Sequence, residues 1–116
     1  AKRLAKAYLK KGDTVLRCNT LKTTPSHLVQ SLKKAGVECD IISGRYTDID
    51  YMLSCSSING LDKLEDFKNG LFYVQDFAAA LTVEILSPQE GETIIDMCAA
   101  PGGKTTHMAE KMKNKG

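Results

Sequence analysis

The sequence predicts an α+β ferredoxin-like unit over residues 1–75, followed over 76–116 by the opening of a doubly wound, Rossmann-like α/β sheet. Three observations lead to this. Residues 14–76 run strand, helix, strand, strand, short helix, strand, the order of a split βαβ unit. A strongly apolar helix pattern then starts at Asp76. Finally, the near-continuous apolar run TIIDMCA (93–99) leads straight into a glycine loop and another helix pattern, the strand–loop–helix that opens a parallel sheet.

Each element has local reasons. Residues 1–11 (AKRLAKAYLKK) are rich in good helix formers and predict a solvated helix. Residues 14–20 alternate, so Leu16 and Cys18 share one face of a strand and Val15, Arg17 and Asn19 share the other, open one. Thr24 and Pro25 suit a helix N-terminus. Leu28, Val29, Leu32 and Ala35 make its apolar face, Lys33 and Lys34 suit its last turn, and Gly36 stops it. Strands follow at 37–42 and 51–55, a short helix or turn at 61–70, and a strand at 71–76. Asp76 caps a helix that Ser87-Pro88 ends, and its apolar residues fall over much of its surface, as in a helix packed between elements. The last helix runs from Gly103 to about Asn114, with Met108 and Met112 on one side and Lys111, Lys113 and Lys115 near its negative end.

Bulk composition narrows the function classes. Among 116 residues, 42% are hydrophobic and 26% charged, which suits a globular chain, and a net charge of +2 excludes a strongly basic nucleic-acid arm. A modest basic patch from Arg3, Lys10, Lys11, Arg17 and Lys22 is still expected. No apolar run approaches the ~20 residues a membrane helix needs. Cys18, Cys39, Cys55 and Cys98 are scattered, without metal-site spacing, and read as reduced thiols of a cytoplasmic protein. The chain opens at Ala1 without a methionine and stops directly after a helix pattern, where a further strand is expected, so it reads as a fragment.

The chemistry concentrates in DMCAAPGGKTTH (96–107). Gly103-Lys104-Thr105 resembles the end of a phosphate-binding loop, but the first glycine of that motif falls on Cys98. Pro101 removes an amide donor, and Asp96 adds a negative charge where polyphosphate would lie, so an NTP-binding protein is disfavoured. The dinucleotide fingerprint fails too, because Gly102 and Gly103 are adjacent. A nucleoside ligand that carries a carboxylate and a cation fits better. The two glycines admit close backbone approach, the helix N-terminus suits the carboxylate, and Asp96 suits the cation. S-adenosylmethionine has these parts.

The stretch VQDFAAALTVEILSPQEGETIIDMCAAPGGKTTHMAEKM, with LRCNTLKT upstream, resembles the Sun/nucleolar-p120 family of RNA cytosine-5 methyltransferases, including the bacterial ribosomal members. The resemblance runs from about residue 14 to the end. It implies a Rossmann-like S-adenosylmethionine-dependent methyltransferase domain, with Cys98, Ala99, Ala100, Pro101, Gly102, Gly103 and Lys104 forming the cofactor loop. It also implies that residues up to about 75 contact RNA, ribosomal RNA above all, with Arg17, Asn19 and Lys22 on the RNA side. In that family one cysteine attacks the cytosine and a second releases the product, and both lie in later motifs. No catalytic residue is therefore assigned here. Cys98 is read as a small buried side chain, the other three cysteines as core, and His107 as surface.

The resemblance gives 5-methylcytosine formation in RNA as the leading reading. A non-catalytic RNA-binding module, with the strand–loop–helix as a structural remnant, is the alternative. No metal and no membrane are expected. One strand standing for a whole parallel sheet predicts little or no cofactor binding and no activity by the chain alone, and self-association through an exposed sheet edge.

Overall fold

The computed structural model describes residues 13–42, 49–56 and 58–116. The helix expected over 1–11, with Arg3, Lys10 and Lys11, lies outside the described residues. Four strands, β1 (Thr14–Cys18), β2 (Cys39–Ile41), β3 (Met52–Cys55) and β4 (Phe72–Val74), form one sheet in the order β2-β3-β1-β4. Every neighbouring pair is antiparallel, with Leu16 opposite Leu53 and Val74, and Arg17 opposite Met52 and Tyr73. This strand order is that of the split βαβ unit, because the β1–helix–β2 crossover leaves a gap that β3 fills.

Helix α1 (Pro25–Lys34) begins where the Thr24 hydroxyl accepts from the His27 amide, with Pro25 in the first turn. It buries Leu28 and Leu32 and packs against β2 and β3. Gly36 follows at φ +86°, a left-handed conformation that favours glycine. A 3-10 turn at Leu61–Lys63 and the single-turn helix α2 (Glu65–Lys68) make the second crossover, closed by Gly70 at φ +66°. Leu16, Cys18, Leu28, Leu32, Leu53 and Phe72 are fully or almost fully buried and form the heart of the core.

Helices α3 (Phe77–Leu86) and α4 (Gly103–Lys111) pack on each other. Side chains of β1 and of the approach to β3 bond directly to both helices, so the face of the sheet that carries Arg17 is covered. Asp76 caps α3 as expected, its carboxylate accepting from the Ala79 amide at 2.9 Å. Among the described residues no helix is long and apolar enough to cross a membrane.

Three expectations are corrected. Residues 93–99 do not form a strand: 92–96 run without ladder pairing among the described residues, because no other strand lies alongside to supply hydrogen-bond partners. Ile95 and Met97 are consequently 84% and 91% exposed. Second, Cys39 and Cys55 are not separate thiols but face each other across the β2–β3 ladder and are joined as a disulfide. Third, Arg17 and Asn19 are buried rather than on an open face: α4 covers Arg17, and Gly70, Leu71 and the turn after β1 hold Asn19.

Candidate functional site

Between the extended segment and α4 the chain turns through residues 96–102. Asp96 organises the turn, its carboxylate accepting from the Cys98 amide at 3.0 Å and from the Thr105 hydroxyl at 2.6 Å. Those two hydrogen bonds, the hydroxyl's first, hold its carboxyl below the usual carboxylate range, so the base of the turn stays negative. Gly102 sits at the N-cap of α4 with φ +107°, a conformation that side chains rarely adopt. A Cβ on Gly103 would lie 3.6 Å from Gln75 Nε2, so the turn approaches the end of β4 closely.

A cavity of about 460 Å³ opens there, the size of a small-molecule site. Val74, Gln75, Asp76 and Ala79 line one side, and Cys98, Ala99, Ala100, Pro101, Gly103 and Lys104 the other. Six of the seven loop residues singled out in the sequence thus share one cavity wall, with Gly102 as the hinge behind them. Gln75 Nε2 is buried and has no hydrogen-bond partner among the described residues. A buried amide donor left open costs free energy, so the cavity wall at Gln75 carries an unmet hydrogen bond. A glycine cradle, an open donor and a helix N-terminus are compatible with the adenosine and carboxylate of S-adenosylmethionine. No group of three or more metal-ligating side chains occurs among the described residues. Cys98 is exposed and unpaired, not buried as the sequence reading has it, because the turn has only the cavity beside it.

Behind the cavity lies a buried polar network. Arg17, with no exposed surface, donates through Nη1 to Gln75 Oε1 (2.6 Å) and the Gly103 carbonyl (2.5 Å). Through Nη2 it donates to Thr106 Oγ1 (2.9 Å) and Glu110 Oε1 (3.0 Å). Its guanidinium also lies 4.6 Å from the centre of the Tyr73 ring. Burial raises the Glu110 carboxyl above its usual range, and Arg17 opposes that only in part. Beside this group Tyr51 donates to Glu84 in a short hydrogen bond, and His107 Nε2 lies 2.9 Å from the Tyr51 hydroxyl. With the tyrosine proton committed to Glu84, His107 must donate from Nε2, which leaves Nδ1 a lone pair without a partner among the described residues. Burial, then the Arg17 charge, push the His107 pKa down to about 4. Burial also works against ionisation of Glu84, but the hydrogen bonds from Lys111 and Tyr51 outweigh it and hold that carboxyl low.

The remaining predicted residues have structural partners. Asn19 Nδ2 donates to the Gly70 carbonyl, and its side-chain Oδ1 accepts from the Leu21 backbone amide. Lys22 is exposed and donates to the Asn69 carbonyl at 2.8 Å. His107, read from the sequence as surface, is 1% exposed. The sequence reading also missed Tyr51 and Glu110, and it gave Gln75 no role beyond the VQDF stretch that carries the family resemblance. The spacing of Gly103, Thr106 and Glu110 by three and four residues was the available signal, since it aligns them on one face of α4.

Fold and site together define a small antiparallel α/β domain backed by a helix pair that carries a glycine loop on a cavity. Residues 83–116, which span that loop, match the family described as 16S rRNA methyltransferase RsmB/F. The probable ribosomal RNA small subunit methyltransferase B of Bacillus subtilis (strain 168) is 34% identical over all of this chain and 25% of its own length. The Homo sapiens 28S rRNA (cytosine(4447)-C(5))-methyltransferase is 41% identical over 87% of this chain and 12% of its own. A crystal structure of a methyltransferase homolog from Pyrococcus horikoshii, 31% identical, superposes with a TM-score of 0.74 over 98% of this chain and 36% of that one. The chain is thus similar to one part of the RsmB/F-type RNA methyltransferases, and it spans a quarter or less of the length of these two curated relatives.

Proposed function

We propose that this chain supplies the small RNA-contacting domain (1–75) and the first cofactor motif (76–116) of an S-adenosylmethionine-dependent enzyme that makes 5-methylcytosine in RNA. The observation that carries the reading is the cavity between Val74, Gln75, Asp76 and Ala79 on one side and the Cys98–Lys104 loop on the other, with the unpartnered side-chain amide of Gln75 in its wall. Cys98 to Lys104 and Gln75 would hold the cofactor, which when bound supplies an activated methyl group. The chain's own part is to bind and orient: the α4 N-terminus suits a carboxylate, and ionised Asp96 keeps the base of the turn negative, which favours a cation over polyphosphate. Names of the relatives support ribosomal RNA as the substrate class. Direct RNA contact falls to Lys22, since Arg17 and Asn19 are buried.

Along its other flank, the segment 94–98 borders a second, apolar trough of about 550 Å³ with α3 and α4. The cofactor cavity itself has only two short walls and is otherwise open, so a cofactor there is held weakly. Isothermal titration of the 116-residue chain is therefore expected to show S-adenosylmethionine binding weaker than micromolar and no ATP binding. In the full-length gene product it should show clear S-adenosylmethionine binding and still none of ATP. ATP binding that Lys104→Ala abolishes would replace this reading with an NTP site.

A further inference from the structure

The Arg17 guanidinium has no exposed surface, yet it lies on the strand farthest in sequence from the loop. All four of its donated hydrogen bonds converge on Gln75, just past β4, and on one face of α4 from Gly103 to Glu110. We propose that Arg17 is a positioning residue for the ligand loop: from β1 it fixes the N-terminus of α4, and with it Gly102 and Gly103, so that the small sheet domain sets the shape of the cavity. The inference rests on the cofactor reading above for what the cavity holds, and on geometry alone for what Arg17 does.

The arrangement makes poor sense as a stability device. A guanidinium cannot shed its charge, and here it lies against the N-terminal turn of a helix, the end that repels cations. Its partner Glu110 is buried as well, and burial holds that carboxyl above its usual range even beside Arg17. Such a pair is commonly no better for stability than two apolar side chains of similar size. Moreover Arg17 Nε is buried without a partner among the described residues.

What the fork does supply is position. Nη1 holds the Gly103 carbonyl and, with it, Gln75 Oε1, which fixes the side-chain amide of Gln75 in the cavity wall. Nη2 holds the Thr106 hydroxyl, which in turn donates to the Gly102 carbonyl at 2.8 Å. Both walls of the cavity are therefore tied to one rigid planar group. Lysine has a single nitrogen and cannot span the two branches.

The test compares the full-length gene product with Arg17→Lys and with the double variant Arg17→Met/Glu110→Leu. The double variant removes both buried charges together and is expected to keep the wild-type urea midpoint. Its affinity for S-adenosylmethionine should nevertheless fall roughly tenfold or more, as misplacement of a binding group does. Amide hydrogen exchange at residues 104–107, measured without cofactor, should speed up in both variants. If the double variant keeps wild-type affinity and exchange, the pair is merely structural and the inference fails. Should the double variant not fold, Arg17→Lys decides in the same two readouts: wild-type values overturn the inference, and weaker binding with faster exchange supports it. A wild-type protein that binds no S-adenosylmethionine would overturn the cofactor reading instead, while exchange at α4 would still report whether Arg17 fixes the helix.

Discussion

The two parts of the molecule treat apolar residues in opposite ways. In the sheet domain Leu16, Leu53 and Phe72 are at most 1% exposed, because each strand has neighbours in the ladder and a helix over its face. In residues 76–116 Val83 and Met108 are buried, but other large apolar side chains stand in solvent: Ile85 is 83% exposed and Ile95 84%. Hydrophobicity and β propensity are as high in TIIDMC as in TVLRC, yet only the latter is a strand. A strand is a property of a pair, so an apolar run without a partner stays extended and unpaired.

That contrast can be broken by mutation. Phe72→Ala opens a void inside the sheet domain and is expected to cost about 3–5 kcal/mol in urea unfolding. Ile95→Lys, which buries nothing, is expected to stay within about 0.5 kcal/mol of wild type. Its effect should appear elsewhere: if exposed flanks drive self-association, it lowers the concentration dependence of the sedimentation coefficient. Comparable losses of stability in the two variants would show that 93–98 is packed after all.

The interface between the parts can be sharpened by pH. His107 titrates near 6.5 when unfolded and about 4 when folded, so between those values the unfolded chain binds more protons. Stability should therefore fall as pH drops through that window, by up to about 1.4 kcal/mol per pH unit. Glu110, held high, acts with the opposite sign, so the comparison is with His107→Gln, which should lack this part of the slope. Identical slopes for the two proteins between pH 6.5 and 4 would mean that His107 is not buried neutral between Tyr51 and Arg17.

The smallest effect is chemical rather than energetic. Cys18 is fully buried, and burial, then Glu110, push its thiol up to about 12, whereas Cys98 is exposed at the loop. Iodoacetamide should modify Cys98 in the native protein and Cys18 only on unfolding. Protection of Cys98 by S-adenosylmethionine would place the ligand in the cavity, and prompt alkylation of native Cys18 would contradict the buried sheet.

Much of the small domain was legible from residues that act locally. Thr24, Pro25 and Gly36 bound α1, and Asp76 with Ser87-Pro88 bounds α3, because caps and breakers work within a turn of themselves. The loop was legible too, since glycine spacing and the missing first glycine of a phosphate motif are properties of consecutive residues. Burial of the second sheet face was not. Alternation states that Arg17 and Leu16 point opposite ways, but not what covers either side.

By itself, then, the sequence determined the order and caps of the elements and the backbone chemistry of residues 98–104. Only the tertiary structure decided that Arg17 reaches across the sheet to Gly103 and Glu110, that His107 lies under Tyr51, that Cys39 meets Cys55, and that 93–98 remains unpaired. The physical reason is range: propensity and capping act over a few residues, whereas burial, ion pairing and strand pairing depend on partners up to 93 positions away.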